Sequence, residues 1–184
     1  VNSDIVGKLV NIASRCAGFV QRAGGKLAAQ LPDPQLYEEF AALRGTIGDL
    51  YDARDYSAAL RGIMGLADRA NQYVDAQKPW ALAKDPAKAA EVLAVCTQGI
   101  NLFRVLMSYL APVLPQMAEK AGQFLRISFA DWNSVATPLF NHPIEAYEPL
   151  AQRLDPKIVA QLVAPAAAPA PAPAKAANKP ATKA

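Results

Sequence analysis

Apolar residues fall at steps of three and four along most of this chain, the period of a helix that buries one face. Ile5, Leu9, Ile12, Cys16 and Phe19 predict a first helix from about Asn2 to Arg22, and Gly24-Gly25 breaks it. Asp33-Pro34 is a start signal, a capping acid followed by Pro at the first helical position. Leu36, Phe40, Leu43, Ile47 and Leu50 then continue the helical spacing. A third helix is expected from about Asp55 to Ala76, burying Tyr56, Leu60, Ile63, Ala67 and Ala70, and Pro79 ends it. Asp85-Pro86 repeats the start signal ahead of a long helix carrying Leu93, Cys96, Ile100, Phe103 and Met107 toward Leu110. After a break at Pro112 and Pro115, a shorter helix carries Met117, Ala121 and Leu125. Strand-like alternation is almost absent, so the expected class is an all-α helix bundle with short connections.

The pattern changes twice more. Residues 1–127 form the expected bundle. From 128 to 163 the chain reads as a loop-rich extension with Pro, Asn and aromatic residues, closing on a short helix that Asp155-Pro156 caps and that runs to Val163. Residues 164–184 are almost only Ala, Pro and Lys. Such a tract has nothing bulky to bury and reads as a disordered linker or tail.

Composition adds limits. The chain is 52% apolar and 19% charged, enough hydrophobic surface to fold. Of 19 Lys and Arg, three (Lys175, Lys179 and Lys183) lie in the tail, which leaves 16 against 16 Asp and Glu in residues 1–163. A formally neutral body does not hold nucleic acid by general phosphate neutralisation, so any such contact must be local. No apolar run is expected to reach bilayer length, and no signal peptide opens the chain. The start at Val1, inside a patterned segment, suggests a fragment or a processed product. Cys16 and Cys96 lie far apart within apolar stripes, which fits free thiols in a reducing cytoplasm. His142 is the sole histidine, which argues against a conventional zinc site or a Cys–His nucleophile pair. Met64, Met107 and Met117 sit on helical stripes as core fillers.

Two features carry candidate chemistry. Asn11 and Arg15 lie one turn apart on one helix face. Asn offers a donor and an acceptor, and Arg a planar fork that can bond a base edge and stack. Spacing alone favours an ordinary solvated face beside Lys8. Trp80 follows Pro79 directly after a long helix, which places it at a corner of the bundle. There it serves either as a plug at the bundle end or as a stacking platform for an unpaired base. Trp132 is expected to pack its loop on the bundle.

Longer stretches resemble one family. Val1-Asn2-Ser3-Asp4-Ile5 through Val10-Asn11-Ile12-Ala13-Ser14-Arg15 looks like the opening anticodon-domain helix of bacterial-type methionyl-tRNA synthetases. Ala70-Asn71-Gln72-Tyr73-Val74-Asp75-Ala76-Gln77-Lys78-Pro79-Trp80 resembles that family's helix end and Pro-Trp turn. Gly99-Ile100-Asn101-Leu102-Phe103-Arg104-Val105-Leu106-Met107 and Tyr109-Leu110-Ala111-Pro112-Val113-Leu114-Pro115 resemble its next helix and break. The likeness implies a helix bundle of the class I aminoacyl-tRNA synthetase anticodon-binding type. It further implies that Asn11 and Arg15 bond the first anticodon base, a cytosine, that Pro79-Trp80 supplies the platform, and that Asp75 is a candidate antideterminant, with Asp68 a weaker one. The family's ATP- and methionine-handling signatures and its zinc knuckle are missing from the sequence. The fragment is thus expected to be non-catalytic and to carry no cofactor. The parent would be an ATP-dependent methionine–tRNA ligase using ATP, Mg and, in many members, zinc. Expected partners are the anticodon loop of tRNA(Met) and the parent's catalytic domain, in the cytoplasm, with no membrane and no DNA. Two other readings stay open: the same domain from a cysteine, leucine or valine relative, or a helical protein-interaction scaffold.

Overall fold

The computed structural model describes residues 2–151, and the helix expected at 156–163 and the Ala/Pro/Lys tract lie outside them. A π-helical segment, Asn2–Val10, runs directly into α1, Asn11–Arg22. The expected single helix is therefore wound in two ways. Over nine residues, apolar spacing does not distinguish i→i+4 from i→i+5 bonding. Positive φ at Gly24 and Gly25 (+99° and +70°) turns the chain where the sequence predicted a break.

The helix expected from Pro34 onward is two helices, α2 (Pro34–Ala42) and α3 (Arg44–Asp52), divided at Leu43. An unbroken apolar stripe hides this division, because both halves pack the same side inward. Asp33 caps α2 by accepting from the Leu36 N–H at 2.9 Å, and Asp55 caps α4 (Tyr56–Gln77) by accepting from Ala58 N–H at 3.0 Å. Tyr56 is a correction: it is 51% exposed at the start of α4 and tilts against the Tyr51 ring. Capping places it in the first turn, before the helix has entered the bundle.

A one-turn helix, α5 (Pro79–Leu82), follows α4, and a 3-10 turn at Pro86–Lys88 leads into α6, Ala89–Leu110. From Val95 to Leu110 every residue of α6 is buried. The segment Pro86–Leu110 is in fact long and apolar enough to cross a bilayer, contrary to the expectation for this chain, but 78% of its apolar window is buried inside the bundle. It is the core helix on which α1 and α4 both pack. Helix α7, Pro115–Leu125, ends at left-handed Arg126.

Among the described residues after α7 the one helical turn is a 3-10 turn at Trp132–Ala136, yet this stretch is well anchored. Trp132 packs edge-on against Tyr109 and Tyr51 at centroid distances of 5.5 and 5.8 Å, as its sequence context predicted. Leu27 N–H donates to His142 O and Ile144 N–H to Gly25 O, both at 2.9 Å, tying this segment to the turn after α1. His142 Nε2 lies 2.7 Å from the Leu125 carbonyl.

Candidate nucleic-acid interface

The π-helical segment and its continuation α1 lie beside α4 and run in the same direction, as three polar contacts with α4 at one sequence offset show. The Lys8 ammonium bonds Asp68 at 2.9 Å, Asn11 bonds Asn71 at 3.1 Å, and Arg15 bonds Asp75 at 2.5 Å, each pair 60 residues apart. Both helices thus carry polar groups at steps of three and four on one edge, which keeps successive side chains on one face. Under this ladder, Ile12, Cys16, Ala67, Ala70 and Val74 are buried. Gly99 of α6 sits where the three helices meet: a Cβ there would stand 2.7 Å from Cys16 Sγ and 3.5 Å from a Val74 methyl.

The ladder ends at Trp80. Pro79 disfavours helical geometry at the residue before it, and Lys78 takes the left-handed conformation, with φ at +46°. Such a non-glycine residue costs on the order of 1–3 kcal/mol. Backbone N–H groups of Ala81 and Leu82 donate to the Lys78 carbonyl at 2.8 and 3.1 Å and hold the turn. Pro79 is buried and anchors α5, leaving Trp80 outermost at 40% exposed. The Arg15 guanidinium lies over this indole, 4.3 Å from the ring centroid.

The structure therefore brings Asn11, Arg15, Asp75, Pro79 and Trp80 to one edge of the bundle. Arg15 is the hinge of the group, stacked on Trp80 and bonded to Asp75, with 23% of its side chain exposed against 61% for Asp75. Asp68, named with Asp75 as an acid of this surface, pairs with Lys8, which also lies 3.6 Å from Asp4. The hydrogen bond that the Lys8 ammonium donates to Asp68 is the main cause that raises the Lys8 pKa above its ordinary value.

In the sequence Asn71 stood out only as part of the stretch that resembles the family's helix end and Pro-Trp turn. It is a member of the ladder: besides accepting from Asn11, it donates to the Lys8 and Ala67 carbonyls at 3.0 and 2.9 Å. Its spacing from Asp68 and Asp75, three back and four on, matches that of Asn11 from Lys8 and Arg15 and was the available signal. Tyr73 has a buried hydroxyl with no partner among the described residues. Cys16 and Cys96 are buried free thiols, and a hydrogen bond between them, with burial, pushes Cys16 well above its ordinary pKa. Among the described residues no three of His, Cys, Asp and Glu gather as a metal site.

Comparison with known proteins agrees with this architecture. The family model described as the anticodon binding domain of methionyl tRNA ligase matches residues 23–145. Among solved structures, the free-state Mycobacterium tuberculosis methionyl-tRNA synthetase superposes with a TM-score of 0.76 at 22% identity, covering 84% of this chain and 33% of that one. The same organism's enzyme in complex with methionyl-adenylate gives 0.75 at 22% identity, covering 83% and 32%. The chain spans about a third of the length of these structures.

Proposed function

The chain belongs to the family of methionyl-tRNA ligase anticodon-binding domains, and we propose that its α1–α4 edge reads the anticodon of tRNA(Met). The observation that carries this reading is the Arg15 guanidinium stacked over exposed Trp80, with Asn11 one turn back on the same face. Single-stranded loops are read by unstacking a base, placing it on an aromatic ring and bonding its edge. Trp80 offers the ring, Arg15 a fork of donors and Asn11 a donor and an acceptor. The family membership also removes the cysteine, leucine and valine relatives from consideration.

In the free chain the platform is self-occupied, and magnitudes decide whether a base can take it. The exposed Arg15–Asp75 pair is worth about 0–1 kcal/mol and the exposed cation–π contact about 0.5–1 kcal/mol. Stacking one base on an aromatic contributes about 1–3 kcal/mol, and each charge-assisted bond to its edge about 1.5–3 kcal/mol. A cytosine that takes over the indole face while Arg15 swings to its edge gains more than the free state loses. Asp75, released, stands as a carboxylate beside the docked loop and penalises misplaced phosphates.

By this reading the chain serves a methionine–tRNA ligase whose catalytic domain, a partner here, handles ATP, Mg and methionine. Anticodon docking would orient the tRNA so that its acceptor end reaches that domain. The test is binding of the chain to a methionine anticodon stem-loop at low salt, followed by NMR. Changing the first anticodon base, or making Trp80→Ala, is expected to weaken binding by about 5- to 100-fold. Binding indifferent to both changes would overturn the site assignment.

A further inference from the structure

The ladder between α1 and α4 has a polarity that fixes what Asn11 can offer a ligand. Asn71 faces two backbone carbonyls, those of Lys8 at 3.0 Å and Ala67 at 2.9 Å. A carbonyl accepts and never donates, so the end of the Asn71 amide turned toward both must be its NH2 group. The other end, Oδ1, is thereby committed to face Asn11, whose Nδ2 donates to it at 3.1 Å. An oxygen at that place requires a donor, so Asn11 keeps its own NH2 inward and turns its Oδ1 outward. Among the described residues, nothing donates to the Asn11 Oδ1. The neighbouring rungs hold no such relay, because Lys8 and Arg15 carry donors only.

We infer that Asn71 is a positioning residue that locks Asn11 with its acceptor outward, so that the site selects a base bearing an exocyclic amine over one bearing a carbonyl. The inference rests on the α1–α4 edge being the base-reading site. Cytosine and uracil have the same ring and nearly the same size, and they differ at position 4, amine against carbonyl. An outward acceptor at Asn11 bonds the cytosine amine and faces the uracil carbonyl oxygen to oxygen. Arg15 donors suit the remaining acceptors of cytosine, N3 and O2, whereas uracil presents N3–H there. With Asn71 fixed by two backbone carbonyls, Asn11 cannot turn over to accommodate uracil without breaking the rung.

The experiment measures the affinity ratio of cytosine- to uracil-bearing anticodon stem-loops for the whole chain, by NMR titration at low salt. The unaltered chain is expected to prefer cytosine by about 10- to 100-fold. Asn71→Ala frees the Asn11 amide to turn either way, and the ratio should fall to within about threefold while the cytosine loop still binds. Asn71→Leu, which refills the volume, should give the same ratio, with thermal melting to confirm that each variant is folded. Adding Asn11→Asp to Asn71→Ala should restore the cytosine preference, because a carboxylate offers only acceptors. A ratio untouched by Asn71→Ala would overturn the inference, as would failure of the double variant to restore it. An unaltered chain that shows no base preference would instead sink the reading of the site on which the inference rests.

Discussion

Arg15 and Arg104 lie on packed neighbours in one bundle, and their surroundings give the same side chain opposite uses. Arg104, 4% exposed on α6, donates to the Thr137 carbonyl at 2.7 Å, the Ser134 carbonyl at 2.5 Å and the Tyr37 hydroxyl at 3.3 Å. Those carbonyls belong to the loop after α7, which has few backbone bonds of its own. Burial lowers the Arg104 pKa from its ordinary value, offset in part by Tyr37. Arg15 has one exposed carboxylate and one indole face as company, all on the outside. The first arginine is committed to two backbone carbonyls and the Tyr37 hydroxyl, and its one unpartnered donor, Nε, is buried out of reach of a ligand. The second is held by contacts that an incoming base can replace. Placement, more than residue type, separates an arginine that builds the fold from one left available for the proposed base contact.

The strongest way to break this contrast is Arg104→Met. Methionine fills much of the volume but leaves the Ser134 and Thr137 carbonyls without their donor in a buried place. The expected cost is about 3 kcal/mol, from hydrogen bonds to a charged group worth about 1.5–3 kcal/mol each less the saving in charge desolvation. That corresponds to a thermal midpoint lower by about 10 °C. The cytosine-to-uracil ratio of the folded variant should not change. A variant as stable as the parent would show that the loop does not depend on Arg104.

Gly99→Ala comes next and asks whether the two regions are separable at all. The new methyl would stand 2.7 Å from Cys16 Sγ, so α1 must shift or the contact be strained. Overpacking of this kind costs about 1–3 kcal/mol. Cys16 adjoins Arg15 in sequence, so a shift of α1 should also move the Trp80 indole resonance. Loss of stability with an unmoved Trp80 signal would mean that the core adjusts without reaching the ladder.

The contrast also marks what was legible in the sequence. Helix starts at Asp33, Asp55 and Asp85 were readable because capping is local: each acid bonds an N–H two or three residues on. The stop at Pro79 was readable for the same reason. The division at Leu43 was not, since one apolar stripe serves both α2 and α3. Nor was the work of Thr97, Asn101, Arg104 and Ser108, a polar stripe at helical spacing inside the core helix. Asn101, for example, bonds both ways with Leu139, 38 residues on. Of the site, residue types and resemblance pointed to Asn11, Arg15 and Trp80. The pairing of Lys8, Asn11 and Arg15 with Asp68, Asn71 and Asp75 needed the direction of α4 relative to α1, which no local pattern encodes.

Arg15→Lys touches only the outer region. Lysine keeps the charge but loses the planar fork and most of the stacking on Trp80. Stability should stay within about 0.5 kcal/mol of the parent, as for other exposed ion pairs. Affinity for the cytosine loop should fall about tenfold, the equivalent of one such bond. Equal losses in both measurements would place Arg15 with Arg104 as a structural residue and erase the contrast.

Asp75→Asn gives the smallest effect and the finest distinction. It removes a charge that is 61% exposed, so folding stability should again change by less than about 0.5 kcal/mol. Two roles for Asp75 then predict different patterns of binding. If the carboxylate chiefly repels misplaced phosphate, every loop gains, and mismatched loops gain more, by about two- to fivefold, so the cytosine-to-uracil ratio narrows. If it chiefly holds Arg15 over Trp80 until a base arrives, its removal lowers the cost of freeing the fork for all loops alike, and the ratio stays fixed while affinities rise together. The ladder places Asp75 against Arg15, while Asn71 keeps the polarity of Asn11 whatever stands at position 75. Discrimination set by Asn71 should therefore survive in Asp75→Asn, and we expect the ratio to narrow without vanishing.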